Sequence, residues 1–490
     1  MTLIRKTAAT LLLLASGLAA SAQTPWLHIY YPGGTDYQGY DMTRVLDVTF
    51  DESAGAMLIN TPDGTRTAYV SQMDYFTIGA NVPVLRITTD DNTIDEVYSK
   101  TEYLDATLNF EGRGIQDDFT QRVRIRGRGN STWGYSKKPY RLKFEAKQRM
   151  LLPKKAKNFI LLANYIDGSM MRNFAAYKFG EIIGMPWINH TTPVDVYFND
   201  LYKGSYMLTE KVGFNNGSVD LPAADEPNSI MLELDNNAVS PDEIYWESAC
   251  YDAANGYFFP VKVKDPDAPI DPAEARTWQQ KWKDDFDSFL STVDDGDETR
   301  IFEQCDLESL VRYIMVFNLC CNQEIDHPKS VYVYKTEGGK WHFGPCWDFD
   351  WAFGYQPTYN KGNSGNWWME EKYPSYENPL LSIAYNYDNP DDGNAGLFFW
   401  KLCNNDTFLN RFRELWNDFY DNRQPDFWDA FDAYQQQLRP SANLQGLTRS
   451  QYTSFDTHVA DLRTWLENRI EYINSDPNLA LWESGTFDKY

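Results

Sequence analysis

The first half of the chain alternates apolar and polar positions, most clearly in two segments near residue 130. Residues 121–126 place Val123 and Ile125 on one face and arginines on the other, and residues 138–144 place aromatic and leucine side chains opposite arginine and lysine. A repeat of two residues is typical of strands with one buried face. We therefore predict two strands, each with an apolar and a basic face, joined by a glycine-bearing turn at 127–133.

Other alternating or apolar runs predict further strands, most of them in the first half of the chain. They lie at 26–31, 45–50, 82–88, 106–110, 159–163, 194–198, 205–211, 230–234, 331–335 and 340–343. Residues 61–64 form a turn signal, and residues 199–200 predict the turn of a hairpin.

The periodicity becomes helical after residue 271. Apolar residues spaced three and four apart predict helices at 273–293, 307–319, 397–420, 428–438 and 455–473. One earlier helix is predicted at 169–183, with Asp167 as its cap.

Taken in chain order, these elements predict an α+β protein. A small β module is expected at 24–80 and the main domain at 81–490. Within the main domain we expect a β-rich part at about 81–265 and a helical part at about 266–490.

The N-terminus has the pattern of a signal peptide, predicted to span residues 1–23. Arg5 and Lys6 precede an apolar run at 11–14, and small residues at 20–23 offer a cleavage site. No later stretch is long and apolar enough to span a bilayer. We therefore expect an exported protein, in the periplasm, outside the cell or at the cell surface, with no transmembrane segment after the signal peptide.

The charge distribution sets one segment apart. The chain carries a formal net charge of -25, yet residues 122–158 are rich in lysine and arginine and have Glu145 as their single acidic residue. A basic segment in an acidic chain indicates a local anionic partner. A nucleic-acid binder would need a broadly basic surface, so we expect no nucleic-acid partner. A small phosphate-bearing ligand fits the segment, and the alternative is a solvated basic strand face.

Two carboxylates stand two residues apart in an apolar run at 347–354. If this segment is a strand, Asp348 and Asp350 point to the same face, on the order of 6–7 Å apart. Carboxylates this close repel one another, and apolar neighbours make their charge costly. A divalent cation would relieve both effects, because hard cations take oxygen ligands. The sequence therefore predicts a metal site at this segment.

The motifs, taken in order, resemble the CotH family of spore-coat (spore coat protein H-like) kinases. The clearest is Arg-Gly-Arg-Gly-Asn-Ser-Thr-Trp, followed by Lys-Pro-Tyr-Arg-Leu-Lys-Phe. The matching segments are 126–133, 138–144, 163–167, 172–173, 202–211 and 347–354. The resemblance implies an atypical protein-kinase-like fold of two lobes, a β-rich N-lobe and a mostly helical C-lobe, with ATP and Mg²⁺ (or Mn²⁺) between them.

The resemblance also implies metal and catalytic roles. Asp348 would bind Mg²⁺, with Asp350 as a second ligand or its support. Asp326 would be the catalytic aspartate that orients the acceptor hydroxyl; as an alternative it would only cap a helix end. Ser330 stands where many family members carry the asparagine that a kinase-like site uses for a second Mg²⁺.

The other candidates would bind the nucleotide. Lys143 resembles the lysine that holds the nucleotide phosphates, Lys138 is its close competitor, and Arg126 belongs to the same basic pair of strands. Glu210 would lie near the lobe junction, where adenine is read; the alternative is a salt bridge from its hairpin to a basic strand.

Three functions are weighed on these grounds. The leading one is an atypical protein kinase that transfers phosphate from ATP to a protein or glycan hydroxyl. The alternative is a non-catalytic surface or glycan-associated binding protein on a degenerate kinase-like scaffold. A glycosidase that uses the carboxylate pair ranks lower, because glycosidases place their carboxylates on opposite sides of the scissile bond.

Overall fold

The structure is a computed structural model of the chain, and the predicted signal peptide lies outside the residues that it describes. The described residues are 25–31, 37–42, 44–73, 75–80, 82–113, 115–235, 244–252, 257–266, 271–326, 328–361, 367–372, 375–382, 395–448 and 454–488. Within these ranges, no helix combines the length and the apolar character needed to cross a bilayer.

The strands predicted from alternation are confirmed, with some ends displaced by a few residues. The described strands are β1 Pro25–Tyr30, β2 Tyr37–Asp41, β3 Asp47–Asp51, β4 Ala56–Thr61, β5 Gly64–Tyr69, β6 Tyr75–Ala80, β7 Val84–Thr89, β8 Leu104–Glu111, β9 Phe119–Gly127, β10 Tyr140–Gln148, β11 Ala156–Leu162, β12 Thr191–Phe198, β13 Leu201–Glu210, β14 Ser229–Leu234, β15 Tyr245–Asp252, β16 Tyr257–Asp265, β17 Val331–Thr336, β18 His342–Phe343, β19 Gln356–Lys361 and β20 Trp367–Lys372.

The described helices follow the predicted periodicity with two corrections. They are α1 Arg172–Ile182, α2 Pro272–Asp295, α3 Glu298–Gln304, α4 Leu307–Cys320, α5 Gly396–Cys403, α6 Asp406–Asp418, α7 Gln424–Thr448 and α8 Phe455–Ser475. The single helix predicted at 397–420 is two helices, because Asn405 interrupts it and caps α6 by accepting the N–H of Phe408 at 2.9 Å. Asp167 is not the cap of α1; its Oδ1 accepts the N–H of Ser169 at 3.0 Å in the turn before the helix.

The described residues divide into two compact units. Unit 1 is drawn from Met1–Met170, Thr191–Thr209 and Ala430–Val459, and unit 2 from Met171–His190, Glu210–Asp429 and Ala460–Tyr490. Both units contain strands and helices, so the α+β class is confirmed.

A closed seven-stranded barrel, in the order β10-β11-β13-β12-β7-β8-β9, forms most of unit 1. The predicted apolar faces of β9 and β10 point into it, and Val123, Ile125 and Leu142 are buried in its core. Because side chains alternate along a strand, the basic faces of β9 and β10 lie on the outer surface of the barrel. The two strands are antiparallel, with Arg141 opposite Arg126.

The predicted small β module contains two three-stranded sheets. Their orders are β2-β1-β6 and β3-β4-β5. The sheets pack around a separate apolar cluster whose buried members are Leu27, Ile29, Met57, Ile59 and Ala68.

In unit 2, a five-stranded sheet and a buried helix position the residues that follow them. The sheet order is β15-β16-β14-β17-β18. Helix α4 begins at its N-cap Asp306 and is buried along almost its whole length. It ends at Cys321, whose φ of 47° turns the chain into the segment 322–330 that leads to β17. The loop after β18 carries the predicted metal ligands.

The C-terminal part of α7 packs on the β12–β13 hairpin of unit 1 through buried polar side chains. Gln445 Oε1 accepts the N–H of Ser205 at 2.9 Å, and Ser441 Oγ donates to Asp195 Oδ2 at 2.8 Å. Gly204 has a φ of 109°, and a Cβ there would lie 2.2 Å from Gln445 Oε1. A glycine is therefore required where the helix meets the hairpin.

Burial of Asp195 makes the stability of unit 1 depend on pH. Burial raises the pKa of Asp195 from its ordinary 3.8 to about 6, although hydrogen bonds from Ser441 and Tyr202 and the charges of Arg113 and Lys137 lower it in part. The folded pKa therefore lies above the unfolded one. The folded state favours protonated Asp195. The contribution of this group to the free energy of unfolding is therefore present in full below about pH 4 and is lost as the pH rises through about 6.

We predict that Asp195→Asn removes this pH dependence. A shift of about two pKa units corresponds to about 3 kcal/mol, so the stability of the variant relative to the wild type should rise by about that amount between pH 4 and pH 7. The measurement is the unfolding midpoint of both proteins across this range. The control is Asp117→Asn, an exposed aspartate of unit 1. A difference that stays constant with pH would show that Asp195 titrates normally in the folded protein.

Candidate functional site

The predicted metal segment is a loop after β18, and the expectation of a strand there is wrong. Residues 344–349 have no regular secondary structure, and Asp348 has a φ of 66°, in the left-handed region. A left-handed residue breaks the alternation that the same-face argument assumed. Asp348 is exposed and Asp350 is half-buried, whereas Trp347 and Phe349 are buried. We call the segment 347–354 the metal loop. It exposes Asp348 and part of Asp350, and its buried aromatic residues anchor it.

Asn173, in the first turn of α1, holds this loop in place. Its Oδ1 accepts the N–H of Phe349 at 2.8 Å, and its Nδ2 donates to Oδ1 of Asp350. Only 2% of Asn173 is exposed. One buried amide thus fixes both the backbone of the loop and the orientation of one carboxylate.

Tyr177 packs beneath the loop, one turn further along α1. Its ring stacks on Trp347 at 6.2 Å and meets Phe349 edge-on at 6.1 Å. Phe317 of α4 also contacts Phe349, with ring centres 5.1 Å apart. Burial, together with the charge of Asp348, raises the pKa of Tyr177 well above its ordinary value, so the hydroxyl stays neutral.

Asn322 joins the segment after α4 to the metal loop. Its Nδ2 donates to the carbonyl oxygen of Asp348 at 3.2 Å, and its Oδ1 accepts the N–H of Glu324 at 3.1 Å. Asn322 is buried, so these bonds form away from water. The same side chain therefore sets the position of Asp348 and that of Glu324.

Glu324 brings a third carboxylate to the metal loop. Its side chain is buried except for 8% of its surface, and its electrostatic neighbours are Asp348, Lys329, Asp235 and Asp350. Burial raises the pKa of Glu324 well above its ordinary value, and the charge of Asp348 is the next largest cause. The sequence did not single out this residue.

Asp326 lies deeper than Glu324 and has no exposed surface. Its Oδ2 accepts the N–H of Ser382 at 3.2 Å, and its backbone carbonyl accepts the N–H of Ala395 at 2.5 Å. Its Oδ1 is enclosed and has no hydrogen-bond partner among the described residues. Burial raises the pKa of Asp326 well above its ordinary value. In this conformation Asp326 binds neighbouring backbone and does not reach solvent.

A buried arginine supports the segments around Asp326. Arg469 of α8 has no exposed surface, and it donates to the carbonyl and side-chain oxygens of Asn318 at 2.9 to 3.1 Å. It also donates to the carbonyl oxygens of Tyr376 and Asn378 at 2.7 and 2.6 Å. These oxygens replace the water that a buried guanidinium loses. They connect the end of α4 with the segment that contributes Ser382.

Glu210 belongs to a separate cluster. It is fully buried; its Oε2 accepts the N–H of His190 at 2.8 Å, and its Oε1 lies 3.0 Å from His190 Nδ1. Asn189 Nδ2 donates to the carbonyl oxygen of Glu210 at 2.8 Å. Both oxygens of the carboxylate thus contact one histidine, and a role for Glu210 in reading adenine stays a prediction.

The outer face of β9 and β10 carries a block of four cations, which we call the cation block: Arg124, Arg126, Arg141 and Lys143. Arg126 faces Arg141 across the two strands, and Arg124 faces Lys143. In the part of the chain that the structure describes, no carboxylate forms an ion pair with any of the four. Like charges placed directly opposite one another are destabilising, so an anion bound there would lower the energy.

Local contacts offset only part of this repulsion. The guanidinium groups of Arg124 and Arg126 lie 5.3 and 5.1 Å from the ring centre of Tyr103. Arg141 donates to Asn158 Oδ1 at 2.9 Å. Burial, followed by the charges of nearby arginines, lowers the pKa of Arg141.

Lys138 is engaged by the glycine-bearing turn between the two strands. Its Nζ donates to the carbonyl oxygens of Trp133 and Tyr135 at 2.9 and 3.3 Å and lies 4.9 Å from the Trp133 ring. Gly127 makes room for this ring, since a Cβ there would lie 2.1 Å from it. Among the described residues, Lys143 has no such bond, so its ammonium is the more available of the two lysines.

The donor atoms at the metal loop suit a hard cation without forming a complete metal site. Among the described residues, no group of three or more histidine, cysteine, aspartate or glutamate side chains is arranged to hold a metal ion. Mg²⁺ commonly takes one or two protein carboxylates, with phosphate oxygens and water as the other ligands. Asp348 and Asp350 could supply such a pair.

Sequence reasoning missed Asn173, Asn322 and Glu324. Asn173 was part of a matching motif, but no pattern in the sequence indicates that its amide bonds a residue 176 positions later. Asn322 and Glu324 lie beside the candidate Asp326. Their hydrogen bonds and electrostatic neighbours, which involve the loop that carries Asp348, cannot be read from sequence spacing.

Comparison with protein families gives one match. A family model described as CotH kinase protein matches residues 123–473. The match begins in β9 and ends in α8, so it includes every candidate residue and leaves out the small β module. A search of curated proteins found no match.

We predict that Asn173→Ala destabilises unit 2, because it leaves the buried N–H of Phe349 without an acceptor. An unsatisfied buried donor costs about 1–3 kcal/mol, which should lower the unfolding midpoint. The measurement is thermal unfolding, with the exposed Asn109→Ala as control. Equal midpoints for the two variants would contradict the role of Asn173 as the anchor of the loop.

Proposed function

The chain belongs to the CotH kinase protein family, and from this we propose that it is an ATP-dependent phosphotransferase. It would transfer a phosphate from ATP, with Mg²⁺ or Mn²⁺, to a hydroxyl group of a protein or glycan. The observation that carries the proposal is the carboxylate pair of the metal loop. Asp348 is exposed in a left-handed conformation, and Asp350 is oriented by a buried amide.

The cost of this conformation supports a functional role for the loop. A non-glycine residue in the left-handed region costs on the order of 1–3 kcal/mol and persists only where its surroundings enforce it. Here Asn173 and Asn322 enforce it. A bound Mg²⁺ would bridge the nucleotide phosphates and neutralise charge that develops during transfer.

The cation block supports the same proposal from unit 1. Four cations without an ion-paired carboxylate among the described residues favour a ligand with several negative oxygens, such as a triphosphate. In this proposal Lys143 binds phosphate, Arg126 assists it, and Lys138 shapes the turn. Glu210 would read adenine.

We further propose that the two units act as the lobes of an atypical protein-kinase-like fold. The barrel of unit 1 would correspond to the β-rich N-lobe, and unit 2, with α4 and the metal loop, to the C-lobe. The acceptor hydroxyl would be oriented by a carboxylate of the segment 322–330, for which the family resemblance names Asp326. The protein would act after export.

The alternative is a non-catalytic binding protein, and the experiments must distinguish it from a phosphotransferase. It would bind the nucleotide without releasing ADP or transferring phosphate. Turnover must therefore be measured together with binding.

We predict that Asp348→Asn abolishes Mg²⁺-dependent nucleotide binding without unfolding the protein. Removing one of two neighbouring charges relieves repulsion, and asparagine tolerates a φ of 66° well, so the stability of the free protein should hold or rise. Titration calorimetry with Mg²⁺-ATP measures the effect. The matched control is Asp200→Asn, an exposed aspartate with a φ of 62°. Unchanged affinity in Asp348→Asn would show that the metal assignment is wrong.

We predict that Lys143→Met weakens ATP binding by about 1.5–3 kcal/mol, the range for a hydrogen bond to a charged group. Methionine keeps much of the aliphatic packing and removes the charge. The loss should appear with ATP and nearly vanish with adenosine, both measured by calorimetry. Lys157→Met, at an exposed position of β11, is the control. If adenosine affinity falls equally, Lys143 does not bind phosphate, and Arg126 becomes the next residue to test.

A further inference from the structure

Two carboxylates of the segment 322–330 could orient an acceptor hydroxyl, and they differ in what surrounds them. We propose that Glu324, and not Asp326, accepts the hydrogen bond from the acceptor hydroxyl. This inference rests on the proposed phosphotransfer. It assigns the contact with the acceptor hydroxyl to Glu324 instead of Asp326, the residue that the family resemblance implies.

The availability of the carboxylate oxygens separates the two residues. Among the described residues, the carboxylate of Glu324 has neither a hydrogen bond nor an ion pair, and its oxygens are not among the enclosed polar atoms. The 8% of its surface that is exposed leaves it open to a ligand. Asp326 has one enclosed oxygen and one bonded to Ser382.

The position of Glu324 relative to the metal loop is the second observation. Asn322 bonds the backbone N–H of Glu324 with one end of its amide and the carbonyl oxygen of Asp348 with the other. The charges that act on Glu324 include those of Asp348, Asp350 and Lys329. Those that act on Asp326 include none of these three. Asn322 therefore links the backbone of Glu324 directly to that of Asp348, a proposed metal ligand.

The contacts of Asp326 describe a structural role. Its carboxylate holds the N–H of Ser382, and its carbonyl oxygen holds the N–H of Ala395, the residue before α5. To reach the remaining carboxyl oxygen, Oδ1, an acceptor hydroxyl would have to enter the space that encloses it.

The acceptor hydroxyl donates its hydrogen bond to the Glu324 carboxylate, and the acceptor oxygen forms a bond to the γ-phosphorus of ATP. The bond from that phosphorus to the bridging oxygen breaks, and ADP leaves with the electron pair. The hydroxyl proton passes to Glu324 and then to solvent.

The test compares Glu324→Gln with Asp326→Asn in the full chain. Water serves as the acceptor, and ADP release from ATP is measured with Mg²⁺ or Mn²⁺, together with nucleotide affinity and the unfolding midpoint. Glu303→Gln, an exposed glutamate of α3, is the control and should match the wild type in all three measurements.

We expect Glu324→Gln to lower kcat by about 10²- to 10⁴-fold, the usual contribution of a positioned acid–base group. Its nucleotide affinity should stay within about threefold of the wild type, and its unfolding midpoint should hold or rise, because an uncharged amide replaces a carboxyl that lies beside other carboxylates. Asp326→Asn should lower the midpoint, and the kcat of its folded fraction should fall at least tenfold less than that of Glu324→Gln.

Three results would overturn the proposal, and they can be distinguished. Loss of kcat in Asp326→Asn with an unchanged midpoint and an active Glu324→Gln would return the role to Asp326. A loss of nucleotide affinity in Glu324→Gln as large as its loss of kcat would make Glu324 a metal ligand. Absence of ADP release by the wild type would overturn the phosphotransfer proposal itself, and the role of Glu324 with it.

Discussion

The carboxylates of Asp348 and Asp350 repel one another, and the loop that carries them must nevertheless keep one conformation. The hydrogen bonds around this loop in unit 2 meet that constraint. The loop has no ladder of backbone hydrogen bonds to hold it, so side chains take over that role. Asn173 and Asn322 each bond the loop backbone with one end of a buried amide. Asn173 bonds Asp350 with its other end, and Asn322 bonds the segment that carries Glu324. Without either amide, the loop backbone would lose a hydrogen bond that fixes the positions of the two carboxylates.

Repulsion between like charges also affects the cation block of unit 1. Strand pairing places Arg126 opposite Arg141 and Arg124 opposite Lys143, so the barrel itself brings like charges together. The ring of Tyr103 and the amide of Asn158 stabilise part of this arrangement. When an anion binds to such a group of like charges, the repulsion between them falls, and this adds to the free energy of binding.

Burial determines which carboxyl groups can take part in chemistry. Asp326 and Glu324 are two residues apart, yet Asp326 has no exposed surface and Glu324 keeps 8% of its surface exposed. The backbone N–H groups of Ser382 and Ala395 bond Asp326. Arg469 stabilises the same region by bonding backbone oxygens of three separate positions. A buried guanidinium without those oxygens would be costly, so this network joins the end of α4 to the residues that precede Ser382.

The sequence by itself determined most of the strands and helices that position the candidate site. Alternation identified β9 and β10 and their basic faces, since a period of two follows from the geometry of any strand. Helical periodicity located α2, α4 and α8, and paired aspartates in an apolar run predicted a metal site, although on a strand where the structure has a loop. Boundaries such as the break at Asn405 were missed, because a local cap overrode a continuous apolar pattern.

Only the tertiary structure decided that the strands close into a barrel, that Asp348 sits in a left-handed loop and that Asn173 anchors it. These features depend on contacts between residues far apart in the chain. The choice between Lys138 and Lys143, and between Glu324 and Asp326, likewise depends on burial and hydrogen bonding. The side chains in each pair are of the same chemical kind, so only the surroundings that the fold gives them set them apart.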